Sequence, residues 1–248
     1  MVFRRSVQTG GMKIRGTREC QSCHHQWSYY ETGSVACPNC GAMRSVGLDE
    51  VRHQHTDSPA ELDLEPVRSR LATESVADVV DELKGTVRTY TRKRGFITGG
   101  ELRELDDRYL AARELLHAAD LVARSREPTE AESLYVLALL KAADSGTWPP
   151  DTELPDSLTA ARGLAVAESL EAYRHDLRTW LNDHPDPEAS KTLGTLRDQL
   201  KRADALQGEI PLDTAADLVT AAREIGQYLR TEDTDALASA RDRLQRLG

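Results

Sequence analysis

Cys20-Gln21-Ser22-Cys23 and Cys37-Pro38-Asn39-Cys40 are two C-x-x-C turns separated by thirteen residues, and they hold all four cysteines of the 248-residue chain. Each turn brings two thiolates toward one point, and two turns facing each other complete the four-sulfur tetrahedral shell that zinc prefers. The spacing predicts one structural zinc ion per chain, held by Cys20, Cys23, Cys37 and Cys40. Four thiols also suit two disulfides, an iron–sulfur cluster, or redox chemistry at a single C-x-x-C. Disulfides need an oxidising compartment, and Met1-Val2-Phe3-Arg4-Arg5-Ser6 has no apolar run behind its basic residues. That points to a reducing cytoplasm. A redox motif sits where a strand enters a helix, whereas Trp27, Tyr29, Tyr30 and Val35 predict a hairpin turning at Thr32-Gly33-Ser34. His24 or His25 could replace a thiolate, but four cysteines already close the shell and leave no position for a catalytic water.

The remaining two hundred residues are enough for one helical domain or two small ones. No run of about eighteen apolar residues exists, so a soluble protein without a membrane partner is expected. Only two Phe and four Ile are present, which predicts a core of Leu, Val and Ala suited to close helix packing. Charge divides unevenly: residues 1–56 carry a net +3 and residues 57–248 a net −12. Twenty-six Arg against six Lys, with the acidic excess, fits a protein kept soluble at high salt by its charge density.

The run Arg18-Glu19-Cys20-Gln21-Ser22-Cys23, then Trp27-Ser28-Tyr29-Tyr30, then Cys37-Pro38-Asn39-Cys40-Gly41-Ala42 resembles a transcription factor IIB-type zinc ribbon. From Met12 onward the chain resembles uncharacterised proteins of halophilic archaea that join such a ribbon to a long helical region. The resemblance implies the fold and the metal of about residues 12–48. Where that pattern often has glycine after the first knuckle, this chain has His24, while the second keeps Gly41.

Along the chain, residues 1–11 are expected to be a disordered extension, 12–48 the ribbon with strands at 13–19, 25–36 and 42–48, and 49–57 a solvated linker that includes His53 and His55. Residues 58–248 are expected to form an irregular all-α bundle of about seven helices, giving a mostly α chain with a small N-terminal β unit. Ser58-Pro59-Ala60-Glu61 signals a helix start that Pro66 limits. Val76, Val79, Val80, Leu83, Val87 and Tyr90 mark one helix face. Thr98-Gly99-Gly100-Glu101 reads as a capping box opening a helix from Leu102. Thr129-Glu130-Ala131-Glu132 caps the next helix, whose nearly all-round apolar run Leu134–Leu140 predicts a central place in the core. Residues 145–155 break the pattern and offer an internal boundary, and helices are expected over 156–183, 187–206, 212–230 and 234–247.

Function divides into two classes. The first is a non-catalytic accessory or adaptor factor that binds protein, nucleic acid or both, in transcription or related information processing. Its candidate recognition residues are Lys13, Arg15, Arg18, Trp27 and Arg44 on the ribbon and Arg92, Lys93 and Arg94 at a helix end. Trp27 also suits the core of so small a unit, and cations at a helix C-terminus also complement its dipole. The second is an enzyme whose site lies among the helices, the zinc being purely structural. No His/Asp/Glu grouping on an apolar helix face supports it.

Overall fold

The computed structural model describes residues 12–248, so the expected extension at 1–11 lies outside the described residues. The N-terminal unit is built from β1 (Met12–Ile14), β2 (Thr17–Cys20), β3 (Gln26–Ser28), the single helical turn α1 (Tyr29–Thr32) and β4 (Ser45–Gly47). Strands β3, β2 and β4 form one antiparallel sheet in that order, with Glu19 opposite both Gln26 and Val46. Two expectations change here. The strand predicted over 13–19 is split at Arg15-Gly16, and the hairpin strand predicted over 25–36 gives way at Tyr29 to α1, closed by left-handed Gly33. Trp27 lies in the small core with Cys20 and Cys37, its indole N–H donating to the Ser34 carbonyl at 3.1 Å.

The expected linker also contains structure. His53–His55 form β5, antiparallel to β1 with Met12 opposite His55, and Gln54 and His55 are buried. On its other side β5 meets β6 (Ile97–Thr98), which pairs with β7 (Glu101–Leu102): the Gly100 N–H donates to the Gln54 carbonyl at 2.8 Å. Gly99 and Gly100, both at positive φ, make the two-residue turn of that hairpin, which replaces the capping box expected at Thr98–Glu101.

The helical part comprises α2 (Glu65–Leu71), α3 (Val76–Lys93), α4 (Asp107–Arg124), α5 (Glu130–Ser145), α6 (Thr159–Trp180), α7 (Pro187–Ala205), α8 (Leu212–Thr231) and α9 (Thr234–Arg246). Pro66 does not limit a helix begun at Ser58; it occupies the first turn of α2, where its missing N–H costs nothing. The helix expected from Leu102 begins at Asp107, capped by the Asp106 carboxylate accepting from the Tyr109 N–H at 2.8 Å. Reciprocal capping boxes start α3 at Ser75 and α5 at Thr129. A single cluster of buried residues runs from Leu64 to Leu244 across the break at 145–155. The expected central place of α5 is corrected: Leu134 and Leu137 are 56% and 41% exposed, because this helix packs chiefly on α4 at the outside of the bundle. No described helix is long and apolar enough to cross a membrane.

Candidate metal centre

Two turns of the same geometry carry the four cysteines. In the first, His24 N–H donates to the Cys20 carbonyl at 3.0 Å and Cys20 N–H to that of His25 at 2.9 Å. In the second, Gly41 N–H donates to Cys37 and Cys37 N–H to Ala42, both at 2.9 Å. Each turn ends in a left-handed residue, His24 at φ 57° and Gly41 at φ 73°. His24 thus takes the backbone conformation that glycine adopts most cheaply, and the glycine missing from the first turn leaves its path unchanged. Between the turns, β2 and β4 bring Cys20 opposite Ser45, and the Gln21 N–H donates to the Arg44 carbonyl at 3.0 Å.

All four sulfur atoms lie within 4.8 Å of one another, with Cys20 and Cys40 Sγ, and Cys23 and Cys37 Sγ, each 3.6 Å apart. A disulfide would place two sulfurs at about 2 Å. Four thiolates around one tetrahedral ion at about 2.3 Å stand roughly 3.8 Å apart, so the donor set fits a four-sulfur metal centre; zinc and iron both take that shell. The residues around two of the sulfurs, those of Cys23 and Cys20, prepare them for ionisation. Hydrogen bonds from the His25 N–H and then the Asn39 side chain lower the Cys23 thiol to about 6. The N–H groups of Cys23 and Ser22 lower Cys20. At Cys40 the Ala42 N–H pulls the same way, but neighbouring Cys23 and Cys20 outweigh it and push the thiol up to about 12. Four thiolates repel one another so strongly that full ionisation needs a cation among them, and a bound divalent ion supplies that charge. Among the described residues this is the one grouping of three or more His, Cys, Asp or Glu donors close enough to hold a metal. His53 and His55, two apart on one face of β5, belong to no group of three or more donors among the described residues.

The other residues singled out from sequence separate into engaged and exposed groups. Lys13 donates to Asp183 at 2.6 Å, tying β1 to the segment after α6. Arg18 donates to the Ser45 hydroxyl and carbonyl at 2.9 and 3.1 Å, bracing β2 against β4. Arg94 bridges Asp57 and Asp106 at 3.4 and 3.1 Å and lies over the Phe96 ring. Arg15, Arg44, Arg92 and Lys93 are exposed. Sequence reasoning missed the contacts that seat the N-terminal unit on the helices. Asp176 of α6 accepts from the Thr56 hydroxyl and the Phe96 N–H, both at 2.6 Å; Trp180 donates to the Gly100 carbonyl at 2.9 Å; and the Tyr30 ring crosses Gly16 and Gly99, where a Cβ would collide with it. Burial holds the His55 imidazole below its usual pKa within this junction. Beside it lies an open cleft of about 660 Å³ lined by Tyr30, Asp57, Arg94, Thr98 and Arg103 among others.

A family model described as a family of unknown function, DUF7117, matches residues 12–244, from β1 to within the last helix. The chain belongs to that family. No curated protein and no solved structure shows significant similarity to this DUF7117 member. The match begins at the first described strand and includes the cysteine unit together with the helices.

Proposed function

We propose that this DUF7117 protein is a non-catalytic adaptor in which one structural zinc ion builds a rigid N-terminal ribbon that docks on a protein partner. The observation that carries the reading is the distribution of exposed apolar side chains. Six of the ten large ones among the described residues, Met12, Val35, Met43, Val46, Leu48 and Val51, fall within residues 12–51. Val46 lies on β4, an outer strand of its sheet, and an outer strand with apolar neighbours is suited to receiving another chain. The charges favour protein over nucleic acid: Lys13, Arg18 and Arg94 are already bound to partners within the chain, and the helical part carries −12. Zinc is preferred to iron because four cysteines in two short turns form the closed shell typical of structural zinc. The likeness of the cysteine turns to transcription factor IIB-type ribbons is the ground for placing the partner in transcription or related information processing.

The test compares the full chain with its Met43→Asp/Val46→Asp variant as bait in native lysate at high salt. The reading expects a stoichiometric protein partner retained by the first and lost by the second, with no co-retained nucleic acid. Binding of DNA or RNA that weakens steeply with salt, or equal retention by both baits, contradicts it.

A further inference from the structure

The outer face of α5 poses a separate question, because a helix apolar on nearly every side belongs in a core and this one lies at the edge of the bundle. Its inward residues Tyr135, Val136, Leu139, Leu140, Ala142 and Ala143 are buried. Its outward stripe is Glu130, Ala131, Leu134, Leu137 and Lys141, all exposed. Leu121, 40% exposed one turn before the end of α4, sits at the same end of the α4–α5 hairpin as Leu134 and is a further exposed apolar side chain there. We propose that this stripe is the surface through which two copies of the chain pair, α5 against α5 in antiparallel fashion.

The order of residues along the stripe identifies the occupant. Leu134 and Leu137 are centred on the point between Tyr135 and Val136, and so are Glu130 and Lys141. A twofold axis through that point therefore sets Leu134 of one copy against Leu137 of the other, and Glu130 against Lys141, at both ends of the contact. Glu130 and Lys141 form no ion pair among the described residues, so both charges are available to a partner. A stripe with leucines in the middle, an acid at one end and a base at the other is complementary to itself only when reversed. The area is that of one helix pair with the end of α4, which suits a reversible dimer rather than an obligate one. Each copy carries −9, so like-charge repulsion opposes pairing at low salt and fades as salt shortens the screening length.

Equilibrium sedimentation of the full chain up to millimolar concentration tests the proposal. The expected result is a monomer–dimer equilibrium that strengthens with salt and is abolished by Leu134→Glu/Leu137→Glu, with helix content and the melting temperature of the dilute monomer nearly unchanged because both positions are exposed. At about 0.15 M salt, Glu130→Lys alone and Lys141→Glu alone each weaken the dimer roughly tenfold, since each sets like charges together at both ends. The Glu130→Lys/Lys141→Glu double variant restores it. A chain monomeric throughout at high salt, a dimer that survives the leucine changes, or a double variant no better than the singles overturns the proposal.

Discussion

His24 and Gly41 occupy equivalent positions after the two cysteine turns, and both must hold a left-handed backbone for the preceding thiolates to converge. At Gly41 a Cβ would meet nothing within 4 Å, so any cost of Gly41→Ala is conformational rather than steric. That cost is about 1–2 kcal/mol. Because metal binding and folding of so small a unit are one equilibrium, it emerges as a roughly 5- to 30-fold lower chelator concentration needed to strip the protein. His24→Gly is expected to shift the same titration the other way, by a few-fold, since it removes backbone strain and gives up only an exposed 3.4 Å contact to Glu19. Equal responses of opposite design, or none at Gly41, would show that these backbone positions do not shape the site.

Among the elements, the segment between α5 and α6 is fastened by a buried charge network. Glu114 on α4 accepts from the Tyr135 hydroxyl at 2.5 Å, the Trp148 indole at 2.6 Å and the Arg162 Nε at 3.1 Å. Arg162 also reaches the Tyr135 oxygen, the Pro149 carbonyl and Asp151, and its guanidinium lies over Trp148. Arg162→Met leaves the Glu114 carboxylate buried without its cation and is expected to destabilise the chain by about 3–5 kcal/mol in denaturant unfolding. Adding Glu114→Gln should recover most of that loss; a single variant as stable as the parent would contradict the reading. No sequence pattern announced this network, because its members lie 11 to 48 residues apart and only the fold brings them together. Local signals were legible where one physical reading dominated: Thr129 caps α5, and Val79, Leu83 and Val87 share one buried face. They misled where two devices share residues. Thr98-Gly99-Gly100-Glu101 satisfies a capping box and a two-glycine hairpin alike, and the pairing of β6 with β7 beside β5 decides for the hairpin. Tyr29–Thr32 is aromatic enough for a strand, yet it turns as a helix so that Tyr30 can cross Gly16 and Gly99.

For the whole molecule, the cysteine unit and the bundle were each legible from spacing and periodicity, whereas their union was not. It depends on β5, a strand of His, Gln and His that carries no apolar signal and is held by β1 on one side and the β6–β7 hairpin on the other. The junction is polar and specific: Lys13 to Asp183, Thr56 to Asp176, Trp180 to the Gly100 carbonyl. The bundle retains its own core of leucine, valine and alanine, so loss of the metal should unfold the N-terminal unit and spare the helices. The account rests on a metal ion held by Cys20, Cys23, Cys37 and Cys40. Elemental analysis of reduced full-length protein, purified without added metal and set beside Cys37→Ser, tests it most directly. One equivalent of zinc in the parent, none in the variant, and nearly equal far-UV helix signal in both are predicted. Iron in place of zinc, no metal in the reduced parent, or a variant that keeps a full equivalent would contradict it.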